Sequence, residues 1–103
     1  LGYDNIALDL FDRSLIISPY HFETLNNKML ILIKQKKVDK AYKILLEIDK
    51  YYPRVSSPKI KMVKYCIRYK EFDYANRIIA LLENKPDNNT KGIIDNLKKV
   101  LKY

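Results

Sequence analysis

The chain has 103 residues, with 20 Lys and Arg against 12 Asp and Glu, a formal net charge of +8. Its 48% apolar content excludes a disordered chain, and a single cysteine excludes a disulfide scaffold. The longest apolar runs, five residues as in Met29 to Ile33, are too short to cross a bilayer as a helix.

The elements read as helices in chain order. Ile6, Ala7, Leu10, Phe11 and Leu15 form an apolar stripe at helical spacing, expected from about Asp4, a side-chain cap, to Ile17. Pro19 stops it, because the residue before proline avoids the helical region. Leu25, Met29, Leu32 and Ile33 predict a second helix from about Phe22 to Gln35, followed by a short turn at Lys36 and Lys37. Val38, Ala41, Tyr42, Leu45 and Ile48 predict a third, Val38 to Tyr51, stopped by Pro53. Ser57 then Pro58 reads as a cap and a first-turn proline. The fourth helix carries Ile60, Val63, Cys66 and Ile67 and ends near Tyr69. Phe72 to Asn84 makes a fifth, Pro86 to Asn89 a polar loop, and Ile93, Ile94, Leu97, Val100 and Leu101 a sixth, from Thr90 to Tyr103. No segment alternates as a strand would.

A 34-residue interval underlies this order. Ala7, Ala41 and Ala75 are spaced by it, as are Pro19 and Pro53, and Asp39 and Asp73. Each alanine is followed four residues later by a large apolar residue: Phe11, Leu45, Ile79. A small side chain lets two antiparallel helices approach, and the large one fills the neighbouring groove.

At these positions the chain resembles the tetratricopeptide repeat family, whose period is 34 residues. The resemblance implies an all-α, right-handed helix-turn-helix solenoid of about six antiparallel helices, read as one domain over residues 1–103. Within it, residues 1–19 hold the second helix of a partial repeat, 22–53 and 56–87 two full repeats, and 90–103 a closing helix. Gly2 stands where the family often has its inter-helix turn glycine. The first-helix half of the pattern departs: the aromatic position holds Leu25 and Lys59, the glycine position Met29 and Val63, the tyrosine position Leu32 and Cys66. The runner-up is another helical-pair repeat, including the 35-residue pentatricopeptide type that reads RNA; the 34-residue interval and the prolines speak against it.

By the same resemblance, the first helix of each pair lines a concave peptide-binding groove. Carried over, this selects Glu23, Asn26, Leu30, Ile33 and Lys34; then Ser57, Ile60, Lys64, Ile67 and Arg68; and on the last helix Lys91, Ile94, Lys98, Leu101 and Lys102. Helical spacing independently places Lys64 with Arg68, and Lys98 with Lys102, one turn apart. A basic wall interleaved with isoleucines suits an acidic amphipathic peptide or helix. The expected function is therefore a protein-interaction scaffold or adaptor. The alternatives are a basic nucleic-acid-binding module and a structural piece that self-associates into a homo-oligomer. The net charge weighs little alone, since Lys, Ile, Asn and Tyr are together the residues of A+T-rich codons.

No enzyme, cofactor or metal site is expected. His21 is the only histidine, in a Pro-Tyr-His turn, with no second ligand or nucleophile in evident relation to it. Cys66 falls on an apolar stripe and reads as a buried structural thiol. Tyr51 and Tyr52 read as inter-repeat packing rather than a platform for bases. Without a starting methionine the chain is expected to be processed or excised, which leaves cytoplasmic, periplasmic and membrane-tethered settings open.

Overall fold

The computed structural model describes residues 2–84 and 90–101. Among these residues six α-helices follow one another: α1 (Gly2–Ile17), α2 (Phe22–Lys34), α3 (Val38–Tyr51), α4 (Ser57–Arg68), α5 (Phe72–Asn84) and α6 (Lys91–Leu101). Among the described residues there is no strand. The expected loop at Pro86 to Asn89 lies outside the described residues, as do Lys102 and Tyr103. The helices fall into two compact units, Leu1–Tyr52 and Pro53–Tyr103.

In the first unit α2 packs on α1 and, more extensively, on α3. Its core is Leu25, Met29, Leu32 and Ile33 of α2 against Ala41, Leu45 and Ile48 of α3. Ala41 is wholly buried, as a close helix crossing requires. α1 contributes half-buried Ala7, Leu8, Phe11 and Leu15. Ile6 and Leu10, expected on the inward stripe of α1, are instead exposed. The apolar residues of this helix cover a wider arc than one packed face can take.

The end of α3 is tied to the turn before α2. The Tyr52 hydroxyl donates to the Tyr20 carbonyl, the Tyr20 and Tyr51 rings lie 4.1 Å apart, and Phe22 meets Tyr52 edge-on at 5.2 Å. The tyrosine pair thus packs within its own unit. His21 caps α2: its Nδ1 accepts from the Thr24 backbone N–H at 3.4 Å and lies 2.9 Å from the Thr24 hydroxyl.

In the second unit α5 packs on α4 and on α6. Its core combines Met62, Val63 and Cys66 with Ala75, Ile78, Ile79, Leu82, Ile94 and Leu97. Three expectations at helix starts are corrected. Gly2 lies inside α1, not in a turn, and Asp4 is in the first turn rather than at the cap. At α4 the cap is Ser56, in helical conformation and without a side-chain cap bond, while Ser57 is the first helical residue. Pro58 already fixes the first turn without needing a donor.

The two hairpin turns are alike. Lys36 and Lys70 have positive φ, 62° and 61°, and lie 70 − 36 = 34 residues apart. In the first, Lys36 N–H donates to Ile33 O at 3.0 Å and Lys37 N–H to Leu32 O at 2.9 Å. In the second, Lys70 N–H donates to Ile67 O at 3.1 Å and Glu71 N–H to Cys66 O at 2.7 Å. This is the Schellman ending, whose left-handed position glycine normally takes. A lysine there carries the steric cost of its Cβ, about 1–2 kcal/mol. Lys70→Gly is therefore expected to stabilise the protein by about 0.5–1 kcal/mol, after the extra chain entropy glycine loses on folding. Lys70→Ala should show no such gain. Urea denaturation midpoints check both, and equal midpoints for glycine and alanine would show that the turn is not strained.

Candidate binding surfaces

α4 has a sharply divided surface. Pro58, Lys59, Met62, Val63 and Cys66 are buried. Ser57, Lys61, Lys64 and Arg68 are exposed, at spacings of four, three and four residues. At about 100° per residue these four fall on one stripe. No acidic residue lies anywhere in this helix to offset its three exposed cations. Half-buried Ile60 and Ile67 border the stripe on one side. On the other, Tyr65 and Tyr69 stack at 6.2 Å, and the Arg68 guanidinium sits 5.6 Å from the Tyr65 ring, within cation–π range. The result is a basic ridge with an apolar shoulder and an aromatic one.

Of the residues expected to line a groove, the structure brings together Ser57, Ile60, Lys64, Ile67 and Arg68. Lys34 is exposed on α2, and Asn26 and Leu30 are half-buried there. The Asn26 Oδ1 is buried and accepts no hydrogen bond among the described residues. Ile33 and Ile94, expected among the groove's isoleucines, belong to the core, at 1% and 5% exposure. Ile33 falls one turn from Met29, and Ile94 three residues from Leu97, so both lie on the packed faces of their helices. Lys98, expected as a free cation of the wall, is half-buried and paired with Glu83 of α5 at 2.5 Å. Leu101 is half-buried. Lys102 lies outside the described residues.

Sequence reasoning missed Lys61, although its spacing from Lys64 and Arg68 would have placed it on the same stripe. It also missed a cleft of about 430 Å³ in the first unit. Leu8, Leu32 and Ile44 form its apolar lining, and Lys28, Lys37, Lys40 and Lys43 stand against Asp12 and Glu47. Lys28 is taken by Asp12 at 2.7 Å.

Cys66 is buried, as its stripe implied. Burial, and then the charge of Glu71, push its thiol up to about 12. It is protonated and inert at neutral pH. Among the described residues no cluster of His, Cys, Asp or Glu could hold a metal ion, and no helix is long and apolar enough to cross a membrane.

No protein-family model, curated protein or solved structure matches the chain.

Proposed function

We propose that this chain is a helical-repeat interaction protein of the tetratricopeptide type, which works by binding another polypeptide rather than by catalysis. The 34-residue interval and the recurrence of one turn geometry at that interval support the repeat reading. The α4 ridge carries the binding reading: three exposed cations in register, in a helix without acids, beside two half-covered isoleucines. That chemistry fits an amphipathic acidic peptide, whose carboxylates meet Lys61, Lys64 and Arg68 while its apolar side chains meet Ile60 and Ile67. The Arg68 fork suits bidentate pairing with a carboxylate.

Charge reversal at Lys64 and Arg68, both to glutamate, is the direct test. The probe is a fluorescent amphipathic peptide with glutamates along one face, followed by polarisation. Affinity should fall about tenfold or more, since like charges then oppose each other. Wild-type binding should weaken as salt is added. Both residues are exposed, so the fold should persist, with a cost of about 1–2 kcal/mol for the lost Arg68–Tyr65 contact and the acid placed in the last turn of α4. The matched reversal at exposed Lys43 and Lys50 of α3 should leave binding unchanged. If that pair abolishes binding and the α4 pair does not, the ridge assignment fails. Tighter, steeply salt-dependent binding to random single-stranded RNA would instead favour a nucleic-acid partner.

A further inference from the structure

We propose that α1 is a self-association helix, pairing antiparallel with α1 of a second copy of this chain. The observation is a row of large exposed side chains on one face of α1. Tyr3, Ile6, Leu10 and Ile17 are 88, 60, 54 and 86% exposed. With exposed Arg13 they fall at spacings of three, four, three and four residues. That is the seam of a heptad repeat, the pattern by which one helix lies along another. Isolated exposed apolar residues are ordinary, but a contiguous row of them marks an interaction face.

The seam is complementary to itself, and this selects the second copy as the occupant. A two-fold interface requires that if one residue faces another, the reverse also holds. Run α1 antiparallel to itself with the axis between Phe11 and Asp12. Ile6 then faces the partner's Ile17, and Leu10 faces the partner's Arg13. Tyr3 reaches the turn that follows the partner's helix. Each contact occurs twice. The Arg13 stem covers apolar surface while its guanidinium stays at the edge.

Charge agrees with this arrangement. Asp9 borders the seam and pairs with Arg13 of its own helix at 3.2 Å. In the antiparallel pair two Asp9 and two Arg13 gather near the axis as a neutral group, so the close approach opposes no excess charge. A parallel pair would set Arg13 beside the partner's Arg13, which is repulsive. Two tyrosines or their like supply about 150–250 Å² each when covered. One such ring and three aliphatic side chains per copy fall below the ~800 Å² per partner of a standard interface. The dimer is therefore expected to be reversible and concentration-dependent.

Sedimentation velocity over a concentration series tests the proposal on the whole chain. Wild type should shift from monomer to dimer. Leu10→Glu, at an exposed position, should keep the helical circular-dichroism spectrum and raise the dimer dissociation constant at least about tenfold. Disulfide trapping tests the register. Ile6→Cys with Ile17→Cys should give a covalent dimer on mild oxidation, because Cys66 is buried and unreactive. Ile6→Cys alone should not. A wild type that stays monomeric at every concentration overturns the proposal. So does a dimer indifferent to Leu10→Glu, or efficient trapping through Ile6→Cys alone, which would mean a parallel pair.

Discussion

Leucine at position 75 is expected to lower the stability of the protein's second unit markedly. Ala75 has no exposed surface, and its helix α5 packs on α4. Three added carbon atoms have nowhere to go without pushing the helices apart. Overpacking of this kind costs about 1–3 kcal/mol, sometimes more. Total stability of a domain this size is about 5–15 kcal/mol. Ala41→Leu should cost a similar amount in the first unit, where Ala41 is equally buried. Ala7→Leu supplies the contrast, because Ala7 is only half-buried and its helix has an open side. It should be the mildest of the three. Thermal and urea melts of the three variants check the order, and leucine tolerated at both 41 and 75 would show that the repeat register is wrong.

Removing residues 90–103 is the second large effect. α6 packs on α5 through Ile94 and Leu97, both buried. Burying each such side chain contributes about 1.5–3 kcal/mol. Their loss also bares the face of α5 that they cover, so the cost should reach several kcal/mol. Stacked helical elements are stabilised by their neighbours, which makes an end helix matter more than its length suggests. The melting temperature of the truncated chain is the measurement. A chain ending at Asn84 or Asn89 that melts like the full one would mean that α6 does not dock. Ile94→Ala alone should lose about 2–5 kcal/mol if it does.

The helices themselves were legible because apolar spacing and proline positions reinforce one another. α3 and α5 have the bounds their patterns imply, and α2 differs by one residue at Gln35, which is its cap. Periodicity marks a stripe but not its width. It left Met62 and the stem of Lys59 out of the core, while the groove carried over from the family resemblance placed Ile33 and Ile94 at a surface when both complete a packed arc. The turns were hidden for another reason. A left-handed position is usually announced by glycine or asparagine, and here lysine occupies both, so composition pointed only to a short connection. Lys98 shows what a linear pattern cannot contain. Its partner Glu83 is fifteen residues away on another helix, and only packing brings the two together. The α4 ridge was readable because every member lies within three turns of one helix. The α1 seam was readable as apolar periodicity but not as exposure, which depends on what packs beside it.

The buried thiol of Cys66 gives the chain a built-in gauge of local opening. A protonated, enclosed sulfhydryl reacts with a disulfide reagent only when its surroundings part. The rate of modification at neutral pH therefore counts excursions in which α4 lifts from α5, from slight fraying to full unfolding. Since there is one cysteine in the sequence, the signal comes from the second unit alone, in the unaltered protein and without a probe. Comparing that rate with amide exchange across both units would reveal whether the two halves open as one cooperative block or at separate free energies.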